Sequence, residues 1–139
     1  MNLLFYEPDE KFFAWAQSGI GCKIDRAASL DELDAKLREN EYDAAFVDVY
    51  GLDGMLAEVV AARARIAASK VPLVLLTGKE ARRDLMQIFD GVVFKCDLSA
   101  PSDLIAAARI VAGRIEKENS MRMTERLFKM LSSLRAVPN

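Results

Sequence analysis

Four polar residues each stand at the end of a short apolar run: Glu7 after Leu3 to Tyr6, Asp48 after Ala44 to Val47, Thr77 after Val71 to Leu76, and Lys95 after Val92 to Phe94. A carboxylate such as Asp48 at the carboxyl end of a buried strand lies on the side where open α/β sheets place their ligands. The stretch Tyr42 to Gly54, YDAAFVDVYGLDG, is where the chain concentrates this signal, because a glycine-punctuated loop follows the aspartate within three residues. Each residue also has an ordinary use. Asp48 can start a loop or cap the next helix, Glu7 or Asp9 can cap the first helix, Thr77 can form a turn, and Lys95 can be a solvated charge. The pattern gains meaning only if the runs are strands of one sheet.

The spacing between the runs predicts such a sheet. Leu3–Tyr6 reads as a strand that stops at Glu7-Pro8-Asp9, and Lys11–Gln17 as a short helix with Phe12, Phe13 and Trp15 on its aromatic side. Cys22–Ala27 is a weaker strand suited to an edge. Ser29 and Glu32 have capping-box spacing, with Leu30, Leu33 and Leu37 behind them as a helical stripe. After Ala44–Val47 come a helix over Met55–Ser69, the most apolar strand at Val71–Leu76, a short helix over Glu80–Phe89, and a strand at Val92–Phe94. A last helix opens at Pro101, Ser102 and Asp103, with Ser99 the better capping residue. Strand and helix alternate five times along the sequence, which predicts a doubly wound parallel sheet.

Composition bounds the chemistry. The chain has 139 residues, 52% hydrophobic and 29% charged, enough for one domain with its own core. It contains no histidine, which removes His-based acid–base catalysis, Ser-His-Asp and Cys-His arrangements, and His-ligated zinc. The two cysteines, Cys22 and Cys96, are far apart and read as small buried thiols of a cytoplasmic protein. Acidic residues follow the first strand at once, unlike a signal peptide, and no apolar run approaches the length of a membrane span. Neither a G-x-G-x-x-G loop nor a Walker A loop is present.

In these features residues 1–116 resemble a response-regulator receiver domain, in an atypical form. The resemblance rests on the acidic turn YEPDE, Asp48 ending AAFVD, Thr77 in PLVLLTG, Lys95 in GVVFKC, and Gly54 opening the third helix. It implies a flavodoxin-like five-stranded parallel sheet of order 2-1-3-4-5, which makes the Asp48 strand central. It implies that Asp48 is a phosphoacceptor served by a histidine kinase or phosphotransfer protein, with Thr77 and Lys95 beside it. Glu7, Asp9 and Asp48 would be the acidic ligands of Mg2+. A carboxylate can attack phosphorus and hold an acyl phosphate. Lys95 would offset charge on the phosphoryl oxygens, and the Thr77 hydroxyl would donate to them. Mg2+ suits a site with few protein ligands plus phosphate and water.

The match has departures. Pro8 stands where receivers usually carry a second acidic residue. The loop between Asp48 and Gly54 and the segment between Thr77 and Lys95 are short, so the fourth helix must be trimmed. Val92 takes the place of a switching aromatic, and Cys96 that of the proline after the lysine. An aspartate-nucleophile phosphatase would want a second Asp where this chain has Tyr50.

From Arg109 onward seven Lys or Arg face three Glu, net +4, which leaves −6 for the preceding part of a chain of net charge −2. Residues 117–139 form a helical extension, with Asn119-Ser120 as a break and cap. Within it Met123, Leu127, Met130, Leu131 and Leu134 make one apolar stripe, with Arg122, Glu125, Arg126 and Lys129 off it. This amphipathic helix points to a homodimer; spaced basic residues without a recognition motif argue against nucleic acid. The expectation is a stand-alone, non-enzymatic receiver that signals by protein contact, doing at most self-phosphorylation and self-dephosphorylation. The competing expectation is a pseudo-receiver that associates without phosphorylation.

Overall fold

The predicted alternation resolves, in the computed structural model, into eleven segments: β1 (Asn2–Tyr6), α1 (Glu10–Gly19), β2 (Lys23–Ala27), α2 (Leu30–Glu39), β3 (Ala44–Val47), α3 (Gly54–Ala67), β4 (Leu73–Thr77), α4 (Arg83–Met86), β5 (Gly91–Phe94), a 3₁₀ turn (Lys95–Asp97) and α5 (Ser102–Arg135). The structure describes residues 1–78, 80 and 82–135. Ala81, inside the helix expected over Glu80–Phe89, and residues 136–139 of the expected extension lie outside the described residues.

All strand pairings are parallel and the order is β2-β1-β3-β4-β5, as expected. The apolar runs are continuous because the sheet is covered on both faces. Leu4, Ala45, Val47, Leu73 and Leu75 face a cluster built with α2 and α3. The alternate residues Leu3, Phe5, Ala44, Phe46, Val74 and Leu76 face α1 and α5. Phe5 and Phe46 stack across the β1–β3 pair at 5.0 Å between centroids. On α3, Ala57, Ala61, Ala64 and Ala67 are buried, so its backbone can lie close to the sheet.

Local signals account for most helix starts. Ser29 Oγ accepts from the Glu32 N–H while Glu32 Oε2 accepts from the Ala28 N–H, a reciprocal cap on α2. In the first turn of α5 the Asp103 carboxylate reaches back to accept from the N–H groups of Ser99 and Ala100 and is thereby held below the usual carboxylate pKa.

Three expectations are corrected. The fourth helix contracts to Arg83–Met86. Of the cysteines, Cys22 is only half-buried and Cys96 is exposed, since the latter falls in the surface turn after β5. Asn119-Ser120 does not break the chain. The extension is the continuation of α5, which runs 34 residues without interruption. Asn and Ser each cost only a fraction of a kcal/mol inside a helix (about 0.5), and no proline follows until Pro138.

Candidate functional site

Strand register sets up the site. Tyr6 pairs with Val47, so Glu7 and Asp48 leave adjacent strands side by side, and the Asp48 N–H continues the ladder to Tyr6 O at 2.9 Å. Thr77 pairs with Phe94, so Lys95 emerges just beyond the end of β4. Because β4 separates β5 from β3, only a long side chain can reach from β5 to Asp48. Lysine does. Its Nζ lies 2.6 Å from Asp48 Oδ2 and 2.9 Å from Glu7 Oε2.

Both carboxylates are buried, Glu7 at 2% and Asp48 at 1% exposure. Their remaining oxygens are held by the backbone: Asp48 Oδ1 accepts from the Tyr50 N–H at 2.7 Å, and Glu7 Oε1 from the Asp9 N–H at 2.9 Å. The Arg26 guanidinium on β2 pins the acidic turn by donating twice to Glu7 O, at 3.1 and 2.8 Å. Above the ammonium, 4.3 Å away, is the centroid of the Phe12 ring on α1. Lys95 is thus enclosed by two carboxylates and an aromatic face.

The electrostatics follow from that enclosure. Burial pushes the Glu7 carboxyl up to about 7, against the lowering pull of Lys95 and the Asp9 N–H; the Asp48 charge adds to the rise. For Lys95 burial works against the ammonium, but the bonds and charges of Asp48 and Glu7 prevail and its pKa is raised. Glu7 Oε2 is buried and its close partner is the Lys95 ammonium, 2.9 Å away. That oxygen retains a lone pair for a cation.

Of the residues singled out in the sequence, Glu7, Asp48 and Lys95 come together. Thr77 is buried at the same rim, its hydroxyl donating to Glu80 O at 2.9 Å. It faces a cleft of about 250 Å³ shared with Tyr50, Gly54 and Leu85. Asp9 sits at the N-terminus of α1, where its Oδ1 accepts from the Lys11 and Phe12 N–H groups. Among the described residues no three acidic or sulfur side chains form a metal-sized cluster. The donor set at the rim is therefore Glu7 and Asp48, two carboxylates with an open oxygen, which fits a cation that keeps several waters, such as Mg2+.

Sequence reasoning missed Phe12, Arg26 and Arg82. Phe12 reads as one more core aromatic, and nothing in its spacing signals the ammonium above it. Arg82 lies against the start of α3, where a Cβ on Gly54 would come within 2.7 Å of its Nη1, and it ties Glu58 of α3 to Asp84 of α4. A glycine opening a helix beside an arginine-containing loop was the available clue.

No protein-family model matches the chain, and no curated protein matches it. Solved structures do. The chain is similar to a CheY-like response-regulator receiver domain protein from Methanospirillum hungatei JF-1, at 19% identity and TM-score 0.66 over 84% of this chain and 97% of that one. It is similar to the receiver domain of sensor histidine kinase PA1611 from Pseudomonas aeruginosa PAO1, a structure with a magnesium ion coordinated in the active-site cleft. That match has 18% identity and TM-score 0.61 over 81% and 97% of the two chains. A fusion carrying the yeast Spc42 trimeric coiled coil matches over 99% of this chain and 100% of its own, at 18% identity and TM-score 0.56. At these identities the likeness establishes the fold, which is that of receiver domains. Among the described residues no helix is long and apolar enough to cross a membrane.

Proposed function

We propose that this chain is a response-regulator receiver that takes a phosphoryl group on Asp48 and signals through protein contacts, its long terminal helix serving to bring two copies together. The observation that carries the reading is the position of Lys95 Nζ, 2.6 Å from Asp48 Oδ2 and 2.9 Å from Glu7 Oε2. An ammonium set beside a buried carboxylate compensates the charge that accumulates on phosphoryl oxygens during in-line transfer. Asp48 Oδ2 forms the new bond to phosphorus as the bond to the donor nitrogen of a phosphohistidine breaks; with a proton on the other ring nitrogen, this leaves an acyl phosphate and a neutral imidazole on a histidine kinase or phosphotransfer protein. The Tyr50 N–H keeps Asp48 oriented through Oδ1. Glu7 and Asp48 would hold Mg2+, which supplies further charge compensation to the phosphate when bound. Thr77 would exchange its bond to Glu80 O for one to the phosphoryl group, and that exchange would pull on the segment before α4.

The test is incubation with Mg2+ and acetyl phosphate, followed by intact-mass measurement. The expected result is a phosphoryl adduct on the wild-type chain that is lost in Asp48→Asn. No adduct, with or without Mg2+, would leave a pseudo-receiver that associates unphosphorylated.

A further inference from the structure

Two exposed apolar stripes on this chain have the same spacing, and none of the described residues covers them. On the terminal part of α5, Met123, Leu127, Met130 and Leu134 follow one another at steps of four, three and four, and all are more than half exposed. On α3, Met55, Val59, Ala62 and Ile66 repeat those steps on the face turned away from the sheet. Met55 is 77% exposed and Ile66 67%, while Ala57, Ala61 and Ala64 fill the opposite, buried side. Exposed apolar surface running the length of a helix is rare on a monomer and marks a contact site. The small side chain of Ala62 in the middle of the stripe lets a second helix approach closely.

We propose that the α3 stripe is the docking surface for the terminal helix of a second copy of this chain, in a reciprocal exchange between two chains. Within one chain the contact is impossible. Helix α5 packs with α1 on one face of the sheet and α3 with α2 on the other, and α5 continues without interruption to Arg135. A cleft of about 660 Å³ lined by Ser69, Pro72, Glu116 and Asn119 places the exit of α5 at the end of the sheet where β4 begins and α3 stops. A two-fold axis parallel to the plane of the sheet, across the strands and displaced from it towards α3, sets those ends of two chains together and lays each terminal helix on the outward face of the partner's α3. Each terminal helix then runs antiparallel along the partner's α3, from the Ile66 end towards Met55. Residues 120–135 and the 14 residues of α3 give helices of similar length, about 24 and 21 Å. The exchange forms the contact twice, and a stable interface needs about 1,600 Å² in total. It brings the Leu134 end beside the partner's Tyr50 and Met55, next to the loop that follows Asp48.

This inference rests on the reading of the terminal helix as the association element, and the experiment separates the two. Val59→Glu/Ile66→Glu and Leu127→Glu/Leu134→Glu each alter exposed positions, so circular dichroism is expected to show both folded. In sedimentation the wild-type chain should have the mass of two chains and each double variant that of one. An equimolar mixture of the two variants, which restores one intact contact, should recover two-chain mass. Dimerisation of the α3 variant alone, the signature of pairing between terminal helices, overturns the exchange and leaves the association reading intact. A mixture that stays at one-chain mass also overturns it. A monomeric wild type, including one carried instead onto anionic vesicles, overturns both.

Discussion

The ammonium of Lys95 lies 4.3 Å from the centroid of the Phe12 ring, which makes an α1 side chain the lid of the carboxylate cluster. A cation over an aromatic face at this distance gains about 0.5–1 kcal/mol at a partly exposed site. Phe12→Leu preserves apolar volume but removes the ring face. The expected outcome is an acyl phosphate on Asp48 whose lifetime falls about two- to five-fold, with recovery in Phe12→Tyr, as 1 kcal/mol allows. Decay of the phosphorylated mass in a time course checks it.

The raised pKa of Glu7 makes the metal-free protein pH-sensitive. Unfolded, the carboxyl titrates at its ordinary 4.5; folded, at about 7. Between those values the folded chain binds more protons than the unfolded one, so unfolding free energy falls as pH rises through that window. The contribution is complete below 4.5 and lost above 7. Urea titrations at pH 5 and pH 7.5 should show a downward step in the wild type that is reduced in Glu7→Gln. An identical slope in both proteins would assign the pH dependence to other groups.

The parts of this molecule legible in the sequence are those set by local pattern. Ala44–Val47 had to be a central strand because no residue in it tolerates water, and β2 had to be peripheral because Lys23 and Asp25 alternate within it. Glu7, Asp48, Thr77 and Lys95 were visible because strand ends are visible. What stayed hidden depends on side-chain reach across elements. Glu7 and Asp9 are equivalent as sequence, yet backbone turning buries one beside Lys95 and leaves the other capping α1. Phe12 and Arg26 gain their roles only once β2 and α1 flank β1. The contraction of α4 was anticipated from the short segment before Lys95, but its bounds were not, since Arg82 makes its ion pairs with Glu58, on another helix, and with Asp84.

Close seating of α5 depends on Gly91, the first residue of β5. A Cβ there would lie 2.6 Å from Val111 Cγ2, and Arg114 already donates to Asp90 O across the same contact. Val111 is buried and β-branched, so it has little freedom to turn away. Gly91→Ala should therefore cost about 1–3 kcal/mol by overpacking, despite its gain in β propensity. A lower urea midpoint with unchanged slope checks it, and Gly91→Ala/Val111→Ala should recover part of the loss.

Removing Lys95 tests how the cluster holds together. Lys95→Met keeps most of the aliphatic stem under Phe12 but leaves Glu7 and Asp48 facing each other with no cation between them. Deleting one partner of a buried charge cluster costs several kcal/mol at most, and with Lys95 partly exposed about 2 kcal/mol is expected at pH 7.5. The loss should shrink below pH 5, where Glu7 is protonated whether or not the lysine is present. Glu7→Gln should rescue Lys95→Met at pH 7.5, because the double variant retains one buried carboxylate still bound to the Tyr50 N–H. A double-mutant cycle in urea measures the coupling. Additive losses from Lys95→Met and Glu7→Gln would mean that the 2.9 Å approach of their charged groups contributes nothing to stability.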